Sequence, residues 1–324
     1  MPTTSPNPGY VPRAASRRRR PAQPSRARSD LAQLATRLTP RDVWLIEVLH
    51  EHKVLTSHHI TALAFTGHRT ANRRLRELYF MGVVDSFRPL RQRGSAPEHY
   101  TLGKAGAELL AARAGCDLAA TGWRKDACAR IAFSPTLDHT LGVNTLLVHL
   151  AAAGHLTQWL SERSATRLWG DWIHPDAYAH ASLPTGEVLP FFLEYDTGSY
   201  NLARVEAKLP GYAALAATTG TRTPLLIHTG GARREAALRH RLAESADRLD
   251  LPVATTNPAL GDPANPVWLP LASTPTRRLA LSELAAHWPG LAPAHTPETV
   301  SAPSGRHATL PWRPIRPQPP TPEG

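Results

Sequence analysis

The sequence predicts an α+β chain in two folded parts: a helical N-terminal unit ending in a two-stranded ribbon, then a larger α/β layered domain with a mixed sheet. Three observations predict it. Helical periodicity opens at Thr39 and gives way after Gly82 to two short strand-like runs. From about Arg130 to Pro289, apolar strand runs alternate with helical segments, the pattern of an α/β layered architecture. The flanks, residues 1–37 and 291–324, are poor in apolar residues; the first is rich in Pro, Ser, Ala and Arg, and the second holds nine prolines. Neither can bury a core, so a disordered basic arm and a disordered Pro-rich tail are expected.

In the N-terminal unit, Thr39-Pro40 supplies a cap followed by proline at the first helical position. The helix that follows carries Val43, Ile46 and Leu49 on one face. A second short helix runs from about Ser57 to Phe65, capped by Thr56 or Ser57. Gly67 separates it from a third, about His68 to Met81, with an apolar stripe of Ala71, Leu75 and Leu78. The opposite face of that third helix carries Arg69, Asn72, Arg73 and Arg76, spaced so that they share one side. Gly82 ends it, strand-like runs Val83 to Arg88 and His99 to Leu102 flank a loop with Arg91 and Arg93, and a helix from Lys104 to Arg113 closes the unit.

Three helices and a ribbon with a basic tip is the order of a winged helix-turn-helix, spanning residues 38–115. Such a unit would set its third helix in the major groove, where Arg and Asn read base edges, while Arg91 and Arg93 grip phosphates. The same face also suits a winged helix used for protein contacts, or a plain solvated helix surface.

The second domain, residues 130–290, opens with a helix from about Leu137 to Ala153, bounded by Pro135 and Gly154. A strand near Thr157 to Leu160 leads to Ser161-Glu162. Two runs, Trp172 to Ala181 and Val188 to Tyr195, flank the turn Pro184-Thr185-Gly186. A helical segment from about Leu202 has the stripe Leu202, Val205, Leu209 and Tyr212, with a kink or end expected at Pro210-Gly211. A strand (Pro224 to His228), a turn at Gly230-Gly231, a helix (Arg233 to Arg248), strands near Pro252 to Thr256 and Val267 to Leu271, and a last helix (about Ser282 to Trp288) complete it.

The acids of the hairpin carry the chemistry. Asp176 lies nine residues before Thr185 and Glu194 nine residues after it. If the flanking runs pair, the two carboxylates face each other at ~5 Å between Cβ atoms, where like charges repel. Asp196 shares the face of Glu194, because strand side chains alternate. Glu194 also follows Leu189-Pro190-Phe191-Phe192-Leu193, a run apolar on both faces, and a buried carboxylate without a partner is costly. Convergence of three acids points to a bound hard cation or a raised pKa. A register slipped by one residue would separate them and leave surface acids or a structural network.

Phosphodiester hydrolysis needs a cation that neutralises developing charge and lowers the pKa of an attacking water. Mg²⁺ or Mn²⁺ takes carboxylate oxygens, waters and a phosphate oxygen. Asp176 and Glu194 suit it as ligands, Glu162 as an outer carboxylate, and Asp196 as a third ligand or the holder of a metal-bound water. Lys208 is placed to orient the water or stabilise charge on the phosphoryl group, unless it is a lysine snorkelling beside the apolar stripe.

Charge and composition bound the partners. The net charge of +11 is unevenly placed: residues 1–29 hold seven arginines and no acid, whereas residues 116–290 hold fifteen Lys and Arg against sixteen acids. The basic excess therefore sits in the N-terminal third, as a polyanion partner requires. No run of apolar residues is long enough for a membrane span, and no apolar stretch follows the N-terminal arginines as in a secretory signal. Cys116 and Cys128 lack metal-ligand spacing and fit a reduced, cytoplasmic protein.

The winged-helix order followed by Pro175-Asp176-Ala177-Tyr178, by Phe191-Phe192-Leu193-Glu194-Tyr195-Asp196-Thr197-Gly198, and by the segment Leu202 to Tyr212 resembles the replication-relaxation family of actinobacterial and plasmid-borne proteins. The resemblance spans roughly residues 38–290 and is strongest from Pro175 to Tyr212. It implies a role in plasmid replication and relaxation of plasmid DNA. It further implies a second domain similar to the PD-(D/E)XK nuclease superfamily, a restriction-endonuclease-like mixed sheet in which a Pro-Asp strand precedes a Glu-x-Lys strand. Asp176 matches the aspartate and Glu194 the glutamate. Asp196 stands where the lysine belongs; in some members that lysine migrates to a neighbouring helix, and Lys208 corresponds to such a move.

Two functions follow as expectations. One is a cytoplasmic DNA-binding protein of plasmid or mobile-element replication and relaxation, acting as a Mg²⁺- or Mn²⁺-dependent DNA nickase. The other is a non-catalytic winged-helix transcriptional regulator or replication accessory factor with an inactive nuclease-like domain. Double-stranded DNA is the expected partner in both, with relaxase or replication initiator proteins as further ones. A general protein-interaction scaffold is the third class, which salt-dependent DNA affinity would exclude.

Overall fold

The computed structural model describes residues 29–90, 94–198, 201–271, 277–288, 290–291, 310 and 315–320. The N-terminal unit runs α1 (Ser29–Ala35), α2 (Pro40–His52), β1 (Leu55–Thr56), α3 (Ser57–Ala64), α4 (His68–Phe80), β2 (Val84–Phe87), β3 (His99–Leu102) and α5 (Lys104–Arg113). Its three strands form a small antiparallel sheet in the order β1-β3-β2. The capping signals act as expected. Thr39 caps α2, its side chain accepting from the Asp42 N–H while the Asp42 carboxylate accepts from the Thr39 N–H. Thr56 caps α3. Ala71, Leu75 and Leu78 of α4 are wholly buried.

The second part runs α6 (Ala127–Ala132), α7 (Leu137–Ala152), β4 (Leu156–Ser161), α8 (Glu162–Trp169), β5 (Ala177–Ser182), β6 (Val188–Asp196), α9 (Leu202–Glu206), α10 (Leu209–Thr219), β7 (Leu225–Thr229), α11 (Ala232–Arg248), β8 (Val253–Thr256), β9 (Leu269–Pro270) and α12 (Leu281–His287). The six strands make one mixed sheet in chain order. β4, β5 and β6 pair antiparallel, β6, β7 and β8 parallel, and β9 returns antiparallel. One face, with Tyr178, Phe192 and Ile227, is covered by Leu209, Tyr212 and Leu215 of α10 and Leu238 and Leu242 of α11. The other, with Phe191, Leu193 and Leu226, joins α7 and α12 in a core cluster that continues into α2, α4 and α5.

Four differences from the sequence reading have physical causes. α1 lies inside the segment expected to be a disordered arm, because Leu34 finds a buried place in the core. Within the Pro-rich tail, Pro317 is buried, the Arg316 carbonyl accepts from the Trp44 indole N–H at 2.8 Å, and the Gln318 amide donates to the Ala151 carbonyl at 2.7 Å. β5 begins only at Ala177, since Pro175 cannot donate to the ladder. Finally, Pro210 sits in the first turn of α10, where the missing N–H costs nothing, so the break falls before it, at Ala207-Lys208.

The two parts meet along a polar seam inside this core. Glu51 of α2 is buried at the start of α8, where its carboxylate accepts from the Ser161 N–H (2.9 Å), the Ser161 hydroxyl (2.8 Å) and the Ser164 hydroxyl (2.7 Å). A carboxylate at a helix N-terminus also faces the positive end of the helix dipole. From α7, the Asn144 amide donates to the carbonyls of His52 (3.2 Å) and Val54 (2.7 Å). The His52 ring stacks on Trp159 of β4 at 3.8 Å. Replacing Glu51 by Ala strands several buried donors, and a loss of roughly 2–4 kcal/mol in urea unfolding is expected. Glu51→Gln, which keeps an acceptor, should lose clearly less; equal losses from both would show that the seam is held by packing alone.

Candidate functional site

The two runs pair as a hairpin centred on Thr185. Ala177 pairs with Leu193 and each following residue keeps step to Ser182 with Val188. The turn closes where expected: the Gly186 N–H donates to the Leu183 carbonyl at 3.0 Å, and Gly186 has φ +84°, a conformation that favours glycine. One step before the ladder begins, the Asp176 N–H donates to the Leu193 carbonyl at 3.0 Å, and the Asp176 charge acts on the neighbouring Glu194.

Glu194 is 5 % exposed and lies on the α10 side of the sheet. Its Oε2 accepts from Lys208 Nζ at 2.5 Å and its Oε1 from the Tyr212 hydroxyl at 2.7 Å. Lys208 is the N-cap of α10 and Tyr212 lies one turn on, so one helix end supplies both donors. Asp176 is held by two other donors. Its Oδ2 accepts from the Tyr195 N–H at 2.7 Å, and its Oδ1 lies 3.0 Å from His139 Nε2 of α7.

The electrostatics mark Glu194 out. Burial, reinforced by the Asp176 charge, pushes its carboxyl up to about 7 despite the opposing pull of Lys208 and Tyr212. The hydrogen bond to Asp176 raises His139 above its ordinary value against the effect of burial. Burial, then the Glu194 charge, drives the Tyr212 hydroxyl well up.

The other two expected members have partners of their own. Asp196 shares the face of Glu194 but is gripped by Arg234 of α11, through Nε to Oδ2 at 2.5 Å and NH2 to Oδ1 at 2.9 Å, with the Gly198 N–H as a third donor. The arginine is bidentate and takes both carboxylate oxygens. Glu162 is exposed at the start of α8 and pairs with Lys53 at 3.6 Å, and its charge is felt by His139 and Lys208. Among the described residues, no group of three or more His, Cys, Asp and Glu side chains is arranged to hold a metal ion. Asp176 and Glu194 nonetheless offer hard oxygen donors with an excess of negative charge, the chemistry that Mg²⁺ or Mn²⁺ takes. His139 and Tyr212 were not legible as members, since each reaches the acids from a helix whose sequence shows only an ordinary apolar stripe.

On the N-terminal unit, Arg69, Asn72, Arg73 and Arg76 of α4 are all exposed on one face. Arg74, between them, is turned inward to Asp42 (2.6 Å) and Glu77 (2.7 Å). Asn72 and Arg76 line a groove of about 580 Å³ with His58 at the start of α3 and Arg88 and Ser95 of the ribbon. Arg91 and Arg93 lie outside the described residues.

A family model described as replication-relaxation matches residues 46–226, from within α2 to the start of β7, a span that holds Asp176, Glu194 and Lys208. Comparison with curated proteins and with solved structures finds no match.

The Glu194 value makes a stability prediction. Because its folded-state pKa, about 7, lies above the ordinary 4.5, this group's contribution is fully present below pH 4.5 and is lost as the pH rises through 7. The cost at pH 8 is on the order of 3 kcal/mol. Glu194→Gln removes the titration and should raise the unfolding midpoint at pH 8 while leaving it unchanged near pH 4. A variant less stable than wild type at pH 8 would mean that the Lys208 ion pair outweighs the burial of charge.

Proposed function

Because this chain belongs to the replication-relaxation family, we propose that it is a DNA-binding protein of plasmid or mobile-element replication and relaxation whose α/β half nicks duplex DNA with Mg²⁺ or Mn²⁺. The observation that carries this reading is the reach of Lys208: its Nζ meets the Glu194 carboxylate, so a lysine absent from the strand comes from the start of α10. The sheet supports it, with an antiparallel β4-β5-β6 followed through α10 by a parallel β7, as in a restriction-endonuclease-like core.

In this reading Asp176 and Glu194 hold the cation, which when bound supplies charge neutralisation and a water of lowered pKa. Lys208 holds a phosphate oxygen or the attacking water beside Glu194. Tyr212 keeps the Glu194 carboxylate from rotating away, and Asp196 with Arg234 braces the end of β6. The α2-β1-α3-α4-β2-β3 order and the β1-β3-β2 sheet support reading the N-terminal unit as a winged helix, with α4 as the recognition helix. Relaxase or replication initiator proteins are further partners of this reading. No helix among the described residues is long and apolar enough to cross a membrane.

One observation favours a second reading, a non-catalytic regulator or accessory factor: all four carboxylate oxygens of Asp176 and Glu194 already accept hydrogen bonds or an ion pair within the protein.

Supercoiled-plasmid relaxation in Mg²⁺ or Mn²⁺ separates the two. Wild type is expected to nick, while Asp176→Ala and Glu194→Ala lose roughly 10³-fold or more and Lys208→Met on the order of 10²-fold, with DNA affinity retained. Binding without nicking by wild type would favour the accessory reading. For the α4 face, replacing Arg69, Arg73 or Arg76 by Ala should weaken duplex binding and lower the salt slope by about 1 for each phosphate that is no longer neutralised. An unchanged slope in all three would remove α4 from the DNA interface.

A further inference from the structure

We propose that His139 is a positioning residue of the carboxylate site: from α7 it fixes the orientation of the Asp176 carboxylate. The proposal rests on the reading of Asp176 and Glu194 as a functional pair and adds a fourth element, α7, to a site otherwise built from the start of β5, from β6 and from α10.

Asp176 has one backbone anchor, the Tyr195 N–H on Oδ2 at 2.7 Å. A carboxylate held by one oxygen can still swing about that bond. His139 Nε2, 3.0 Å from Oδ1, is the second anchor and sets the plane of the group. The placement of His139 is itself set by close packing. Gly142 lies one turn further along α7, on the same side of the helix. A Cβ there would stand 2.4 Å from Cε1 of Tyr195, so the glycine lets α7 lie directly against that ring. The Tyr195 ring is stacked on His228 at 4.6 Å with an interplanar angle of 3°, and meets the His139 ring edge-on at 5.9 Å. Tyr195 therefore serves Asp176 twice. Its backbone holds one oxygen, and its ring spaces the helix that holds the other.

Residues that orient a ligating group without themselves meeting the reacting atoms commonly change metal affinity or activity by 10–100-fold when replaced. The variants His139→Ala, His139→Gln and Gly142→Ala separate this role from a merely structural one. Glutamine keeps a neutral donor within reach of Oδ1, whereas Gly142→Ala leaves His139 in the chain but forces α7 away from Tyr195.

Mn²⁺ binding is measured by calorimetry on the full chain without DNA. About 10-fold weaker binding in His139→Ala and Gly142→Ala, with most of the affinity recovered in His139→Gln, supports the proposal. Unchanged or tighter Mn²⁺ binding in His139→Ala overturns it, the tighter value identifying His139 as a competitor of the cation. A metal-free double-mutant cycle runs alongside. Unfolding-midpoint shifts of His139→Ala and Asp176→Asn that do not add support the coupling, and shifts that add overturn it. A wild type that binds no Mn²⁺ sinks the catalytic reading alone, and the cycle then decides whether His139 holds Asp176.

Discussion

The register of one hairpin governs this molecule. With Ala177 opposite Leu193, alternate residues of β6 are sorted onto two sides of the sheet. Phe192, Glu194 and Asp196 turn towards α10 and α11, while Phe191, Leu193 and Tyr195 turn towards α7. A slip of one residue would exchange these sets, placing Glu194 in an apolar core and two aromatic rings among the donors of α10. The register is therefore held by burial on both faces, and it brings the Asp176 charge to bear on Glu194. The like-charge repulsion at the end of the hairpin is tolerated because so much apolar surface fixes the pairing.

Three buried glutamates show how differently the fold treats a carboxylate. Burial pushes all three up. In Glu51 that effect is outweighed by His52, by the serine donors of α8 and by Arg163, and the carboxyl ends below its ordinary value. In Glu235 it is outweighed by Arg278, Thr255 and Asn257, with the same result. Only Glu194, with a lysine and a tyrosine on its two oxygens, stays raised, because Asp176 adds a second negative charge that no donor on α10 cancels. Glu51 and Glu235 are finished networks that join one element to another. Glu194 is left with an unbalanced charge at an accessible helix end, and perturbation of this kind concentrates at sites that bind or react.

Much of this was legible in the sequence, for local reasons. The symmetry of Asp176 and Glu194 about Thr185 carried the register, because a tight turn and strand alternation act over a few residues. The Thr39 and Thr56 caps and the stripe of α4 were legible on the same grounds. What escaped depended on contacts between distant residues. Asp196 has the right alternation for a third ligand, but Arg234, thirty-eight residues on, takes it. His139 reaches Asp176 from a helix that reads as plain core. Lys208 is ambiguous in the sequence because Pro210 suggests a helix end; the same proline begins α10 and so aims Lys208 at Glu194. The helix α8 has no clear signal of its own, as its start is completed by Glu51, 110 residues earlier in the chain.

The seam and the site share their elements, which ties the two halves of the chain together. α7 holds the N-terminal unit through Asn144 at its middle and Asp176 through His139 at its start. α8 is anchored to α2 by Glu51, and the short loop after it leads directly into Asp176. Both routes to Asp176 thus begin on the unit that carries the exposed arginines of α4. Displacing that unit would strand Glu51, a buried charge, and two buried backbone carbonyls, so the low-energy arrangement is a single one.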